Sequence, residues 1–98
     1  MNTITKVSDI TYQDLADYLH VGELDASDIA LLNNLLVIAK TFIKAYTGQA
    51  DLDTTSDFVI VVFVLVQDMW DNRVLYVDSR NLNIVIETIL GMHSVNLL

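Results

Sequence analysis

Carboxylates are the main reactive side chains in this sequence. Thirteen Asp and Glu stand against five Lys and Arg, a formal net charge of −8. Paired carboxylates do general acid–base work, and clusters of them hold divalent cations. The spacing favours neither role. Asp14, Asp25, Asp28, Asp53 and Asp57 stand where helices are expected to begin, and capping and the helix dipole account for them there. Asp68, Asp71 and Asp78 are left without that explanation. The two histidines, His20 and His93, are far apart, and the chain has no Cys. A zinc site from protein side chains alone, or a disulfide framework, is therefore not expected. No GxSxG, glycine-rich phosphate loop, HExxH or EF-hand spacing occurs. Lys40 and Lys44 form the one basic pair, too little for a nucleic-acid surface on so acidic a chain. No catalytic residue, metal ligand or cofactor site is expected, and the chain does not read as an enzyme.

Helix starts organise the sequence. Thr11 is placed to cap a short helix, with Asp14 completing a capping box and Ile10 and Leu15 forming a hydrophobic staple. That helix is expected to end near His20, with Leu15, Tyr18 and Leu19 inward and Gly22 helping to stop it. Asp25, Asp28, Leu24 and Ile29 repeat the same grammar. The second helix should run to about Thr47, with Gly48 in the left-handed position beyond it. Ile29, Leu32, Leu36, Ala39, Ile43 and Tyr46 make one apolar stripe. Leu31, Leu35, Ile38, Phe42 and Ala45 make a second beside it, so this helix should be covered on more than one side.

The run Phe58 to Val66 is rich in β-branched residues and has strand character. Its pattern continues through Met69 and Trp70, which favours a third helix capped by Asp53, Thr54 or Ser56. One face of that helix reads Asp57, Val61, Val64, Asp68 and Asp71. Its two central valines suit a contact with another subunit better than solvent. Residues 73–80 read as a partly extended linker around Val74-Leu75-Tyr76-Val77. A fourth helix is expected over 82–92, with Ile84, Val85, Ile89 and Met92 inward. Residues 1–9 form an N-terminal arm and residues 93–98 an apolar tail.

The expected fold is all-α, a single domain over residues 1–98: a small bundle of about four helices, short, long, long and apolar, and C-terminal. Its 98 residues are 53% hydrophobic, with no Pro and three Gly. Mean hydropathy is +0.45. A chain of this size buries only roughly 60–65% of its unfolded surface, so such composition exceeds what its own core can absorb. No secretory leader is apparent in residues 1–10, and the longest unbroken apolar run, Phe58 to Val66, is short of the about 20 residues of a membrane span. Disorder is excluded by the apolar content.

Three stretches carry a family resemblance. They are Ile10 to Leu19 (Ile-Thr-Tyr-Gln-Asp-Leu-Ala-Asp-Tyr-Leu), Asp28-Ile29-Ala30-Leu31-Leu32 leading to Ala45-Tyr46-Thr47-Gly48, and Trp70-Asp71-Asn72-Arg73. Their order resembles the head–tail connector proteins of tailed phages, also called adaptor or head-completion proteins. The resemblance covers residues 7–92. Gln49 departs from the basic residue common after the Thr-Gly, and no Pro opens the last helix. The resemblance implies a virion protein made in the host cytoplasm and placed at the head–tail interface. About a dozen copies would form a ring under the portal protein, and a downstream head-completion or tail protein would dock on it. DNA would pass through unbound, with no cofactor and no membrane involved. Under this reading Val61, Val64, Trp70, Asn72, Arg73, Tyr76, Leu97 and Leu98 are interface candidates. Trp70, Asn72 and Arg73 would fix the end of the third helix, with Arg73 pairing a carboxylate locally or across subunits. Asp68, Asp71 and Asp78 would face the channel, where negative charge repels phosphate. The alternative is an acidic helical interaction protein: a DNA mimic or a small regulatory oligomer.

Overall fold

The computed structural model describes residues 4–94. Four α-helices make the bundle: α1 (Tyr12–Leu19), α2 (Ala26–Thr47), α3 (Asp57–Asn72) and α4 (Ile84–Met92). Two 3-10 turns, Val7–Asp9 and Leu52–Thr54, precede α1 and α3. Among the described residues there is no strand.

Local chemistry sets the first two helix starts. Thr11 and Asp14 form a full capping box, as do Asp25 and Asp28. Each box satisfies backbone donors that the first turn would otherwise leave free. Gly48 closes α2 with φ 74°, a left-handed geometry that costs glycine little. At the end of α1 this position falls to His20, with φ 58°, and Gly22 is not left-handed. The stop therefore sits two residues earlier than Gly22. For α3, none of the three expected side chains caps the helix. Ser56 occupies the cap position without a side-chain bond, and the Thr55 hydroxyl accepts from the Asp57 N–H at 3.2 Å. Asp53 instead holds the N-terminal segment: Ser8 donates its N–H at 3.0 Å and its hydroxyl at 2.6 Å to the two carboxylate oxygens. Val7 and Ile10 are buried, so the expected N-terminal arm is part of the fold from Ile4 onward.

α2 and α3 form the axis of the bundle and run antiparallel, with Leu31 and Leu35 beside Met69 and Trp70. The first stripe of α2 is buried at Leu32, Leu36, Ala39 and Ile43, and Leu35 from the second stripe joins it. Leu31, Ile38 and Phe42 are half-covered, so most of the apolar girth of α2 is used within the chain. By length and composition α2 would also cross a membrane, with mean hydropathy 1.4 over its best window. Here it is the helix around which the others pack, and Asn33, Asn34 and Lys44 lie on its outer side. Among the described residues the one buried polar side chain, Thr47, donates its hydroxyl back to the Ile43 carbonyl at 2.7 Å, which removes the cost of an unpaired group.

α3 is met by α1, α2, α4 and the first 3-10 turn. Ten of its side chains belong to the core or pack against it: Phe58, Val59, Val61, Val62, Phe63, Leu65, Val66 and Met69 are buried, and Val64 and Trp70 are half-covered. The Tyr18 ring lies 5.0 Å from that of Phe63, and its hydroxyl donates to Gln67 at 3.2 Å. The β-branched run is therefore helical because tertiary burial on three sides outweighs its strand preference.

α4 packs antiparallel on α3 through Ile86 and Leu90. His93 ends it, with Nε2 3.0 Å from Asp57 Oδ2 and its ring edge-on to Phe58. Gln49 donates to the His93 carbonyl and accepts from Thr54. This knot joins the ends of α2 and α4 to the start of α3. Of the four residues expected inward on α4 only Ile89 packs against the core. Ile84, Val85 and Met92 are 72%, 59% and 71% exposed. Segment 73–83 between α3 and α4 bends at Leu75-Tyr76 and turns at Ser79-Arg80, and it forms no strand.

Candidate interaction surface

α3 ends in a compact stop. Arg73 adopts the left-handed conformation, φ 56°, and its N–H returns to the Met69 and Trp70 carbonyls. The Asn72 amide donates to the Asp68 carbonyl at 2.9 Å and to its carboxylate at 3.1 Å. The Arg73 guanidinium lies 5.1 Å from the Trp70 ring centre, within cation–π range. The structure thus brings Trp70, Asn72 and Arg73 together at the helix end. A local carboxylate partner for Arg73 is not found: among the described residues it makes no ion pair.

Beside this stop lies a groove of about 170 Å³ between the first half of α2 and the last turn of α3. Leu31, Trp70, Val74 and Leu75 line it, and Arg73 stands at its rim. Leu75 and Tyr76 next to it are both 61% exposed. Aromatic and Arg side chains are the types that anchor protein interfaces.

The three unexplained carboxylates converge elsewhere. Asp68, Asp71 and Asp78 line one open cleft of about 380 Å³ between α3 and the approach to α4, with Val64 and Ile86 on its apolar side. Asp78 is held by its own turn. It accepts from the Asn81 amide at 2.9 Å and the Arg80 N–H at 3.2 Å, and the Asn81 bond foremost keeps its carboxyl below the usual range. Among the described residues no group of three or more His, Asp or Glu is placed to hold a metal. The cleft presents negative charge; it has no ligand cage.

The remaining interface candidates divide. Val61 is fully buried in the chain itself and drops out as a surface residue. On α3 the exposed residues are Ile60, Gln67, Asp68, Asp71 and Asn72, and Val61 lies about 100° of helix rotation from Ile60. Val64 is half-buried and faces the acidic cleft. Leu97 and Leu98 lie outside the described residues. Sequence reasoning missed the outward apolar residues of α4 and the exposure of Ile60, 57%, and Leu75. The polar marker on α4 is weak: Thr88 stands in the middle of the outer face and Glu87 at its edge, among seven residues that are apolar or Gly.

No protein-family model, no curated protein and no solved structure matches the chain.

Proposed function

We propose that this protein is a structural component of a tailed-phage virion, a head–tail connector that forms a ring below the portal. The observation that carries the reading is the placement of the resembling stretches. Each ends a helix at a left-handed residue: His20 after Tyr18-Leu19, Gly48 after Tyr46-Thr47, and Arg73 after Trp70-Asp71-Asn72. Two features lend support. Ile60, Leu75, Tyr76, Ile84, Val85 and Met92 leave more large apolar surface exposed than a solitary small bundle needs. The net charge of −8 suits a conduit for DNA, with Asp68, Asp71 and Asp78 as the carboxylates that face the passing genome. In this reading the partners are further copies of the chain, the portal protein and the next head-completion or tail protein. The protein positions and docks; it carries out no reaction and holds no cofactor.

Electron microscopy of the protein mixed with the portal of its phage tests this. A ring stacked coaxially on the portal is the expected result. Absence of binding overturns the reading, and capture of a nucleic-acid-binding protein by the acidic cleft would replace it with DNA mimicry.

A further inference from the structure

Two exposed surfaces of this chain are complementary to each other. On α4, Ile84, Thr88 and Met92 recur every fourth residue on the side opposite the buried Ile86 and Leu90, and Glu87 borders that stripe. The stripe is apolar at Ile84 and Met92, the Thr88 hydroxyl between them is turned back onto the Ile84 carbonyl at 2.7 Å, and its one charge is negative. The groove between α2 and α3 is apolar, and its one charge is positive, Arg73. Among the described residues neither Glu87 nor Arg73 has an ion-pair partner. α4 presents its buried face to α3 and its stripe away from the bundle, so it does not fill the groove of its own chain.

We propose that the outward stripe of α4 docks in the Trp70–Leu75 groove of a second copy of this chain, with Glu87 of one copy meeting Arg73 of the other. The two patches differ, so the contact is head-to-tail. Such a contact leaves each copy with one free groove and one free stripe, and repetition gives a closed ring or an open filament. The inference rests on the ring reading for that closure, not for the contact itself. It also assigns surplus apolar surface: Ile84 and Met92 enter the groove against Leu75, with Tyr76 beside it. Arg73 is held over Trp70 before docking, so little freedom is lost when it meets a carboxylate.

The absence of cysteine makes the test direct. Two single variants, Leu75→Cys and Ile84→Cys, are mixed in equal amounts in a glutathione redox buffer. Because each chain carries one thiol, every interchain disulfide reports a contact between copies. Head-to-tail docking predicts a mixed disulfide in several-fold excess over both symmetric ones. Random collision gives the statistical mixture, and symmetric pairing gives mainly like-with-like products; either result overturns the proposal. A second arm uses charge. Arg73→Glu in the Leu75→Cys chain should lower the mixed yield roughly fivefold, the scale of an exposed ion pair, and Glu87→Arg in the Ile84→Cys chain should restore it. Far-UV circular dichroism confirms that each variant folds. The contact and the ring reading fail separately. A ring on the portal without the mixed disulfide removes this contact alone; the mixed disulfide without portal binding keeps the contact and removes the connector role.

Discussion

Val61 and Ile60 are neighbours in sequence with opposite fates, and the difference is measurable. Val61 is fully buried and Ile60 is 57% exposed. Val61→Ala removes two buried carbons, worth about 1.6 kcal/mol in transfer from water. The cavity left behind adds to that, bringing the loss to about 2–3 kcal/mol. Alanine returns roughly 0.5 kcal/mol through its better helix propensity. The net cost is about 2 kcal/mol. A chain of 98 residues has an unfolding entropy near 0.2 kcal/mol/K, so the melting temperature should fall by about 10 °C. Ile60→Ala loses little burial and gains the same propensity, so its effect should stay within about 0.5 kcal/mol. Urea unfolding followed by circular dichroism, with calorimetry for the midpoints, measures both. The variants should share one m-value, which shows that the unfolded reference is common. A mild Val61→Ala beside a costly Ile60→Ala would mean that α3 is rotated by one residue. Equal costs would mean that another subunit covers Ile60 already in the free protein.

Two other perturbations probe the helix stop and the N-terminal tie. His20→Gly should stabilise the protein by about 0.5–1 kcal/mol, because an exposed non-glycine residue at φ 58° carries a steric cost that glycine avoids; a lower melting temperature would show that the His20 ring makes a stabilising contact. Asp53 titrates below the usual aspartate value of 3.8, chiefly because the Ser8 hydroxyl and N–H bond to its carboxylate. A depressed carboxyl contributes stability above its unfolded pKa and loses it as pH falls through the folded value. Stability should therefore drop below about pH 3.8, with Asp25 and Asp78 acting in the same direction through Ser27 and Asn81. Asp53→Asn should flatten that acid limb of a urea-midpoint profile, and an unchanged profile would dismiss the Ser8 tie as its source.

Helix order and the first two helix starts are readable from sequence because they depend on neighbours three residues apart. Thr11 with Asp14 and Asp25 with Asp28 form their boxes without help from the rest of the chain. The features missed are those set at long range. Asp53 looks like a cap for α3 but is taken by Ser8, 45 residues away. The side of α4 that faces inward is decided by its contacts with α3 and α2, and in an otherwise apolar helix Glu87 and Thr88 are a weak sign of that choice. Val61 departs from expectation for the same reason: the flanking Asp57, Asp68 and Asp71 point to an outward face whose valines meet another subunit, yet the bundle itself covers Val61.

These long-range effects alter where the excess apolar surface lies without removing it. The middle of α3 and most of α2 absorb their own valines and leucines inside the bundle. What stays uncovered is the outer side of α4, Leu75 and Tyr76 beside the α3 stop, and the scattered single residues Val37, Tyr46 and Ile60. The site candidates that survive, Trp70, Asn72, Arg73 and Tyr76, belong to that second region. A chain with one apolar surplus at its last helix and another at the end of its third has the two unlike surfaces that head-to-tail assembly requires. An apolar middle of α3 exposed in the monomer would have favoured a symmetric pair instead.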